Sequence, residues 1–341
     1  MQIQSNVSLK DYSTMRLGGI AKHLVRITTE AELTKALAWA DEKNLSIVMI
    51  GGGSNIFWRD EGYEGLVIVN KLKGYDEIWH DETHVYVTAG AGEVWDDIVA
   101  RTASKGLSGI ENLSLIPGTV GATPVQNVGA YGQDISDTLV HVRAYDRETK
   151  KMVTLKKDDC KLAYRTSRFK TVDHGRFFIT SVTLHLRKMN PEAPFYPSLQ
   201  QYLDDHSATN YTAGSVREAV IAVRSAKLPD PKKVANNGSF FANPIITQDK
   251  LNDLQSNYNN IMHWPAGQGL YKIPAAWLVQ EAGFKGVHDS ATGMATWPHQ
   301  ALVLVNEHAT TTADLLTFRQ KILDAVLQKF GIALEQEPQM L

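Results

Sequence analysis

The sequence predicts an α+β fold in more than one domain. Three observations lead there. Glycine turns separate short strand-like runs; stretches with helical spacing are few; and in the last third strands are followed by helices. A chain of 341 residues has material for two or three domains and ample core.

Composition narrows the function classes. Apolar residues make up 43% and charged residues 21%, ordinary for a soluble globular protein. A net charge of −2 gives no electrostatic case for a nucleic-acid or membrane-surface partner. The single cysteine, Cys160, excludes an internal disulfide and a cysteine zinc site. Residues 1–10 lack an apolar signal core, and no apolar run approaches spanning length, so a cytoplasmic protein is expected.

Residues 21–27 form the first strand-like run. Thr29 with Glu32 fits a capping box, and Leu33, Ala36, Leu37 and Ala40 continue at helical spacing up to Asn44. Residues 45–50 are a continuous apolar run, typical of a buried strand, and lead straight into Gly51-Gly52-Gly53-Ser54-Asn55. A glycine turn after a strand is a usual setting for phosphate. No lysine follows it, and the Gly-x-Gly-x-x-Gly spacing occurs nowhere, so neither a Walker loop nor the standard dinucleotide fingerprint is present. Alone, the triple glycine is better explained by a plain tight turn. Residues 66–69 and 85–88 predict further strands. A helix is expected over 93–105, with Val94, Trp95, Ile98 and Val99 buried and Gly106 at its end. His80 and His84 have a zinc-like spacing, but they flank an acidic turn and no third ligand is evident, so no metal is expected.

Residues 116–132 are the centre of the chain. They hold Gly118, Gly121, Gly129 and Gly132, two prolines, small residues and no charge. Successive free N–H groups in such turns form an anion-binding concavity. Ile116, Val120, Val125 and Val128 argue against disorder. The composition favours a diphosphate cradle over a plain surface loop.

Residues 139–145, 151–155 and 177–186 alternate as half-buried strands. Arg165, between aromatic and hydroxyl residues, suits either a surface position or an anion clamp. Residues 189–198, with three prolines, predict a boundary or a mobile loop. Ser215 can cap a helix reaching Ala226, stopped by Pro229 and Pro231. A short helix is expected over 274–281 and a buried strand over 302–305. Leu315, Phe318, Ile322, Val326 and Phe330 give a long last helix one apolar face, ended by Gly331. The apolar lead-in to Glu337 suggests that the tail docks as a strand. Ser239 lacks the Gly-x-Ser-x-Gly elbow and has no histidine at triad spacing. Lys227, by itself, is most simply a solvated helix-end lysine.

Six stretches in order carry a resemblance: residues 51–55, 116–132, Tyr164-Arg165, 227–231, 238–244 and 334–337. Together they resemble the UDP-N-acetylenolpyruvoylglucosamine reductases, over about residues 12–338. The resemblance implies a two-part FAD-binding fold of the vanillyl-alcohol oxidase type plus a C-terminal α+β substrate domain. The parts would be residues 1–73 with a tail of about 331–341, then 74–213, then 214–330. FAD would be held non-covalently on the main chain of Gly51, Gly52, Gly53, Ser54 and Asn55 and of Pro117, Gly118, Gly121, Ala122, Asn127, Gly129 and Ala130. NADPH would be the hydride donor, and the product UDP-N-acetylmuramate, a peptidoglycan precursor.

By the same resemblance Arg165 faces the substrate carboxylate, Glu337 helps polarise it with a raised pKa, and Ser239 protonates C2. Tyr196, Lys227, Asn243, Gln300 and Tyr131 would contact the UDP-sugar. Ala242 stands where many members carry lysine, Pro197 stands where glycine is usual, and the tail is short. A monomer without metal is expected. Two alternatives remain distinguishable: another FAD oxidoreductase of this fold, which commonly shows a histidine near the first glycine loop, and a nucleotide-binding module, which would show neither yellow colour nor NADPH turnover.

Overall fold

The computed structural model describes residues 1–259 and 261–341. It comprises two compact units: Met1–Val7, Ala21–Gly53 and Tyr63–Ala226 form the first, and Ser8–Ile20, Ser54–Gly62 and Lys227–Leu341 form the second.

The first unit contains a four-stranded sheet in the order Ile3–Ser8, Ile20–Ile27, Tyr63–Asn70, Ile47–Ile50, in which the last three run parallel. Helix α1 (Glu30–Glu42) makes the crossover and buries Leu33, Ala36, Leu37 and Ala40. Thr29 accepts from the Glu32 N–H at 3.1 Å, as the sequence predicts, but the Glu32 carboxylate reaches back to Thr28 rather than Thr29. A second sheet is antiparallel, in the order Lys151–Lys156, Leu139–Asp146, Phe177–Arg187, His84–Gly90, Tyr75–Trp79.

Helix α2 (Trp95–Ser104) buries Trp95, Ile98 and Val99 against this core. Val94 does not join them: it is the N-cap and is 43% exposed. α3 (Ile135–Thr138) follows the central loop. The proline stretch contains a helix the sequence did not reveal, α4 (Pro197–Asp205), since proline suits a first helical turn. α5 (Ala213–Lys227) starts two residues before Ser215. Thr212 and Ser215 instead exchange hydrogen bonds at 3.0 Å, with Thr212 as the cap.

The second unit is built on a sheet in the order Ala235–Ser239, Gln300–Asn306, Met294–Trp297, His288–Asp289, with a smaller sheet of Ile245–Thr247, Leu270–Lys272 and Trp264–Pro265. Around them lie α6 (Gln248–Asn257), α7 (Ala275–Glu281, entered from Pro274) and α8 (Thr312–Phe330). All five predicted α8 stripe residues are buried, Thr311 closes a capping box, and Gly331 ends the helix at φ +64°. The Asp60 carboxylate accepts the Thr312 and Ala313 N–H groups at 2.7 and 2.9 Å, pinning the 54–62 segment to the start of α8. Phe57, Phe240, Phe241, Phe318 and Leu334 share one core.

Candidate active site

Two glycine turns of the first unit are pressed together. A Cβ on Gly51 would lie 2.1 Å from Thr119 Oγ1, and one on Gly52 would lie 3.2 Å from Gly118 Cα. Gly51 therefore lies against the Thr119 side chain and Gly52 against the Gly118 backbone, both closer than a side-chain-bearing residue sits with ease. Gly121 donates its N–H to Ala91 O at 2.9 Å, while Pro117 and Ala122 are exposed. Val120 and Val128 are buried, and Ile116 and Val125 pack on the same core, so this loop is anchored from beneath. The loop carries no lysine and no charge. Ser54 and Asn55 continue into the second unit, where Ser54 O accepts from Asn237 Nδ2 at 3.2 Å and Asn55 O from the Gln339 N–H at 3.0 Å.

The far half of the central loop positions Arg165. Gly129–Ala130 pairs with Gln133–Asp134, putting Tyr131 and Gly132 at the hairpin tip. Asn127 (φ +46°) accepts from the Ser136 N–H at 3.0 Å and donates to Ala163 O at 3.2 Å. Ala163 and Thr166 exchange both backbone hydrogen bonds, so Tyr164 and Arg165 form a two-residue tip. Arg165 takes φ +54°, a strain of about 1–3 kcal/mol for a side-chain-bearing residue. Its guanidinium donates to Gly129 O at 2.7 Å, directly on the loop. The surface-or-clamp ambiguity thus resolves locally to an arginine held against the central loop.

A second guanidinium, Arg224 on α5, went unnoticed in the sequence. It hydrogen-bonds Tyr131, and its Nε is buried without a partner. Burial pushes this guanidinium below its ordinary value; Tyr131 and Asp96 oppose the shift, while Arg165 adds to it. Burial also pushes the Tyr131 phenol up. Tyr131 and Tyr196 meet edge to face at 5.7 Å. Two arginines and two tyrosines so arranged suit an anion. Asp96 braces the assembly, accepting from Arg217 at 2.6 and 2.9 Å and from the Leu115 N–H at 2.6 Å. The available signal was Arg224 standing one turn before Lys227.

Ser239 and Glu337 come together in the second unit. Ser239 is exposed at the end of its strand, opposite Val303, with Gly238 at φ +71° before it. Phe240 donates to Leu302 O at 2.8 Å and accepts from the Glu337 N–H at 2.9 Å. Ala242 N–H donates to Glu335 O at 2.9 Å, and Phe241 faces Gln336 antiparallel. On its other side the tail pairs parallel, Gln339–Met340 with Ile56–Phe57. The docked tail expected from its apolar lead-in is present, and its brevity is met by strand contacts on both sides. Asn237 ties the serine strand down: Nδ2 donates to Thr14 Oγ1, Ser54 O and Ile56 O at 3.0–3.2 Å, while Oδ1 is buried without a partner.

Of the remaining sequence candidates, Lys227 is the exposed last residue of α5. Asn243 Oδ1 accepts from the Ala275 N–H at 2.9 Å. Gln300 opens its strand and accepts weakly from Leu302 N–H at 3.4 Å. His84 Nδ1 lies 3.0 Å from Asp81, and no metal-binding cluster occurs among the described residues.

Residues 21–156 match the FAD binding domain model, and residues 230–341 match the model of the UDP-N-acetylenolpyruvoylglucosamine reductase C-terminal domain. UDP-N-acetylenolpyruvoylglucosamine reductase of Alcanivorax borkumensis is 40% identical, covering 98% of this chain and 95% of its own. That of Cupriavidus pinatubonensis is 38% identical, covering 98% and 97%. The crystal structure of the Thermus caldophilus reductase shares the fold, with a TM-score of 0.68 at 21% identity over 100% of this chain and 99% of its own. A cradle without lysine, and relatedness along the whole length, lead to one conclusion: the chain belongs to the UDP-N-acetylenolpyruvoylglucosamine reductase family.

Proposed function

We propose that this protein reduces the enolpyruvyl ether of UDP-N-acetylglucosamine enolpyruvate to UDP-N-acetylmuramate for peptidoglycan synthesis, using FAD and NADPH. The carrying observation is family membership over nearly the entire chain. The chemistry FAD supplies when bound is hydride transfer, from NADPH and then to C3 of the ether. The residues to hold it are Gly51, Gly52, Gly53, Ser54 and Asn55, with Pro117, Gly118, Gly121, Ala122, Asn127, Gly129 and Ala130, through the main chain of the two turns. NADPH and the sugar nucleotide would use the cleft in turn. No helix among the described residues is long and apolar enough to cross a membrane. We read the working protein as a cytoplasmic monomer, with no nucleic-acid partner, in keeping with its near-neutral charge and a nucleotide-sugar substrate. We also keep the three-part division at about residues 73 and 213.

Hydride addition at C3 drives negative charge into the substrate carboxylate. Preformed positive groups aimed at that charge provide most of the acceleration. Arg165 takes this role, with a planar fork suited to a carboxylate and strain that fixes its direction before substrate arrives. Glu337, protonated or paired with a cation, assists on the same group. Ser239 Oγ gives its proton to C2 and completes the product. A hydroxyl is a weak acid, so it serves only against a strongly basic carbon. Tyr131, Tyr196, Lys227, Asn243 and Gln300 contact the UDP-sugar, and Arg224 adds positive charge beside Tyr131.

The test is a flavin spectrum. NADPH should bleach the yellow protein, and UDP-N-acetylglucosamine enolpyruvate should restore the colour without oxygen. Colour restored by oxygen alone would point to another oxidoreductase; a colourless protein would remove the flavin assignment.

A further inference from the structure

We propose that Arg319, on α8, is a positioning residue that fixes Glu337 through Gln336. The proposal rests on the role given to Glu337 above. One Nη of Arg319 donates to Gln336 Oε1 at 2.8 Å, and Gln336 Nε2 donates onward to Pro338 O at 2.7 Å. The amide of Gln336 is therefore held at both ends, and its bond to Pro338 closes a loop around Glu337. The Glu337 N–H is fixed independently on Phe240 O at 2.9 Å, and Gln336 lies opposite Phe241. The backbone carrying the glutamate is thus gripped before, at and after it.

The choice of residue on α8 supports a specific role. Arg319 follows Phe318 on a helix whose neighbouring stripe is aliphatic and aromatic. Its Nε is buried without a partner, and among the described residues no carboxylate pairs with it. Burial pushes its guanidinium below the ordinary value. A half-buried cation without a counter-ion is costly, and such local costs concentrate at functional sites. An apolar residue would pack here without that cost but would release Gln336. The arrangement acts on geometry at the Glu337 end of the tail, whereas the contact with Asn55 of the first glycine turn is made further on, by Gln339.

The experiment uses the full-length, FAD-loaded enzyme and the variants Arg319→Ala, Arg319→Lys and Gln336→Ala. In stopped flow, flavin reduction by NADPH should run at the parent rate. Reoxidation by UDP-N-acetylglucosamine enolpyruvate should slow by about tenfold to a hundredfold, the scale of a misplaced catalytic group. Arg319→Lys should recover part of that loss, and the double variant Arg319→Ala/Gln336→Ala should be no slower than the worse single variant. Hydrogen exchange at the Glu337 amide should quicken in Arg319→Ala while α8 amides stay protected. Equal slowing of both half-reactions with loss of flavin would make Arg319 merely structural and overturn the proposal. Should Arg319→Ala fail to fold, Gln336→Ala carries the same test. Glu337→Gln separates the two layers: parent-rate reoxidation there removes the role of Glu337 itself. Slow reoxidation there, with Arg319→Ala and Gln336→Ala at parent rate, removes the positioning role alone.

Discussion

Arg165 and Ser239 are held by opposite means. Arg165 sits on a two-residue tip closed by Ala163 and Thr166, strained at φ +54° and bonded to Gly129. Its position is made by a short stretch and one neighbouring loop. Ser239 lies at a strand end bounded by Val303, with the last residues of the chain attached at Phe240. Its position depends on segments from both ends of the sequence. A residue fixed by a local turn can be disturbed alone, whereas one fixed by strand assembly shares its fate with everything in the sheet.

The most severe test of this contrast is Ser239→Ala. It should leave flavin reduction intact and slow the second half-reaction by roughly a hundredfold to ten-thousandfold, the usual contribution of a placed proton donor. Stopped-flow traces with both halves at the parent rate would sink the assignment. Arg165→Lys should follow, with a loss of about a hundredfold in kcat, because an ammonium keeps the charge but lacks the fork. Normal turnover in Arg165→Lys would refute the clamp.

Gly51→Ala acts on the cradle. The new Cβ, 2.1 Å from Thr119 Oγ1, should cost about 1–3 kcal/mol of stability and weaken flavin retention. Adding Thr119→Ala should return part of both. A variant that unfolds and binds flavin like the parent would show that the two turns move apart freely.

The smallest effect belongs to Asp96→Asn. Burial alone would raise the Asp96 carboxyl, but the Arg217 bonds outweigh it and hold the group below its ordinary value of 3.8. A depressed carboxyl contributes stability above its unfolded value and loses it as pH falls through the folded one. The parent should therefore exceed Asp96→Asn by about 0.5–1 kcal/mol at neutral pH, with the gap closing below about pH 4. A gap in melting temperature that stays constant with pH would show that the Arg217 pair contributes nothing.

The same contrast explains what was legible in the sequence. α1 and α8 declare themselves through Leu33, Leu37, Phe318 and Ile322 at helical spacing, and the strands through their apolar alternation. The two glycine turns are legible because each lies within a continuous stretch. Local punctuation misleads where one residue type serves two purposes. Pro197 reads as a break but opens α4, and Val94 reads as stripe but is an N-cap. Asn237 and Arg319 have no local signature, and Arg224 has only its place one turn before Lys227, since each acquires meaning from partners distant in sequence. That Ser8–Ile20 and Ser54–Gly62 fold with the second unit is equally invisible, because it depends on strand pairing with the tail and on the start of α8.

The pairing of Leu341 with Phe57 and Arg59 bears on biosynthesis. Residues 336–341 are made well after Ser239, yet they complete the surroundings of that serine. The strand of Ser239 keeps an open edge until that tail has been made, so catalytic competence should follow emergence of the tail rather than that of the serine.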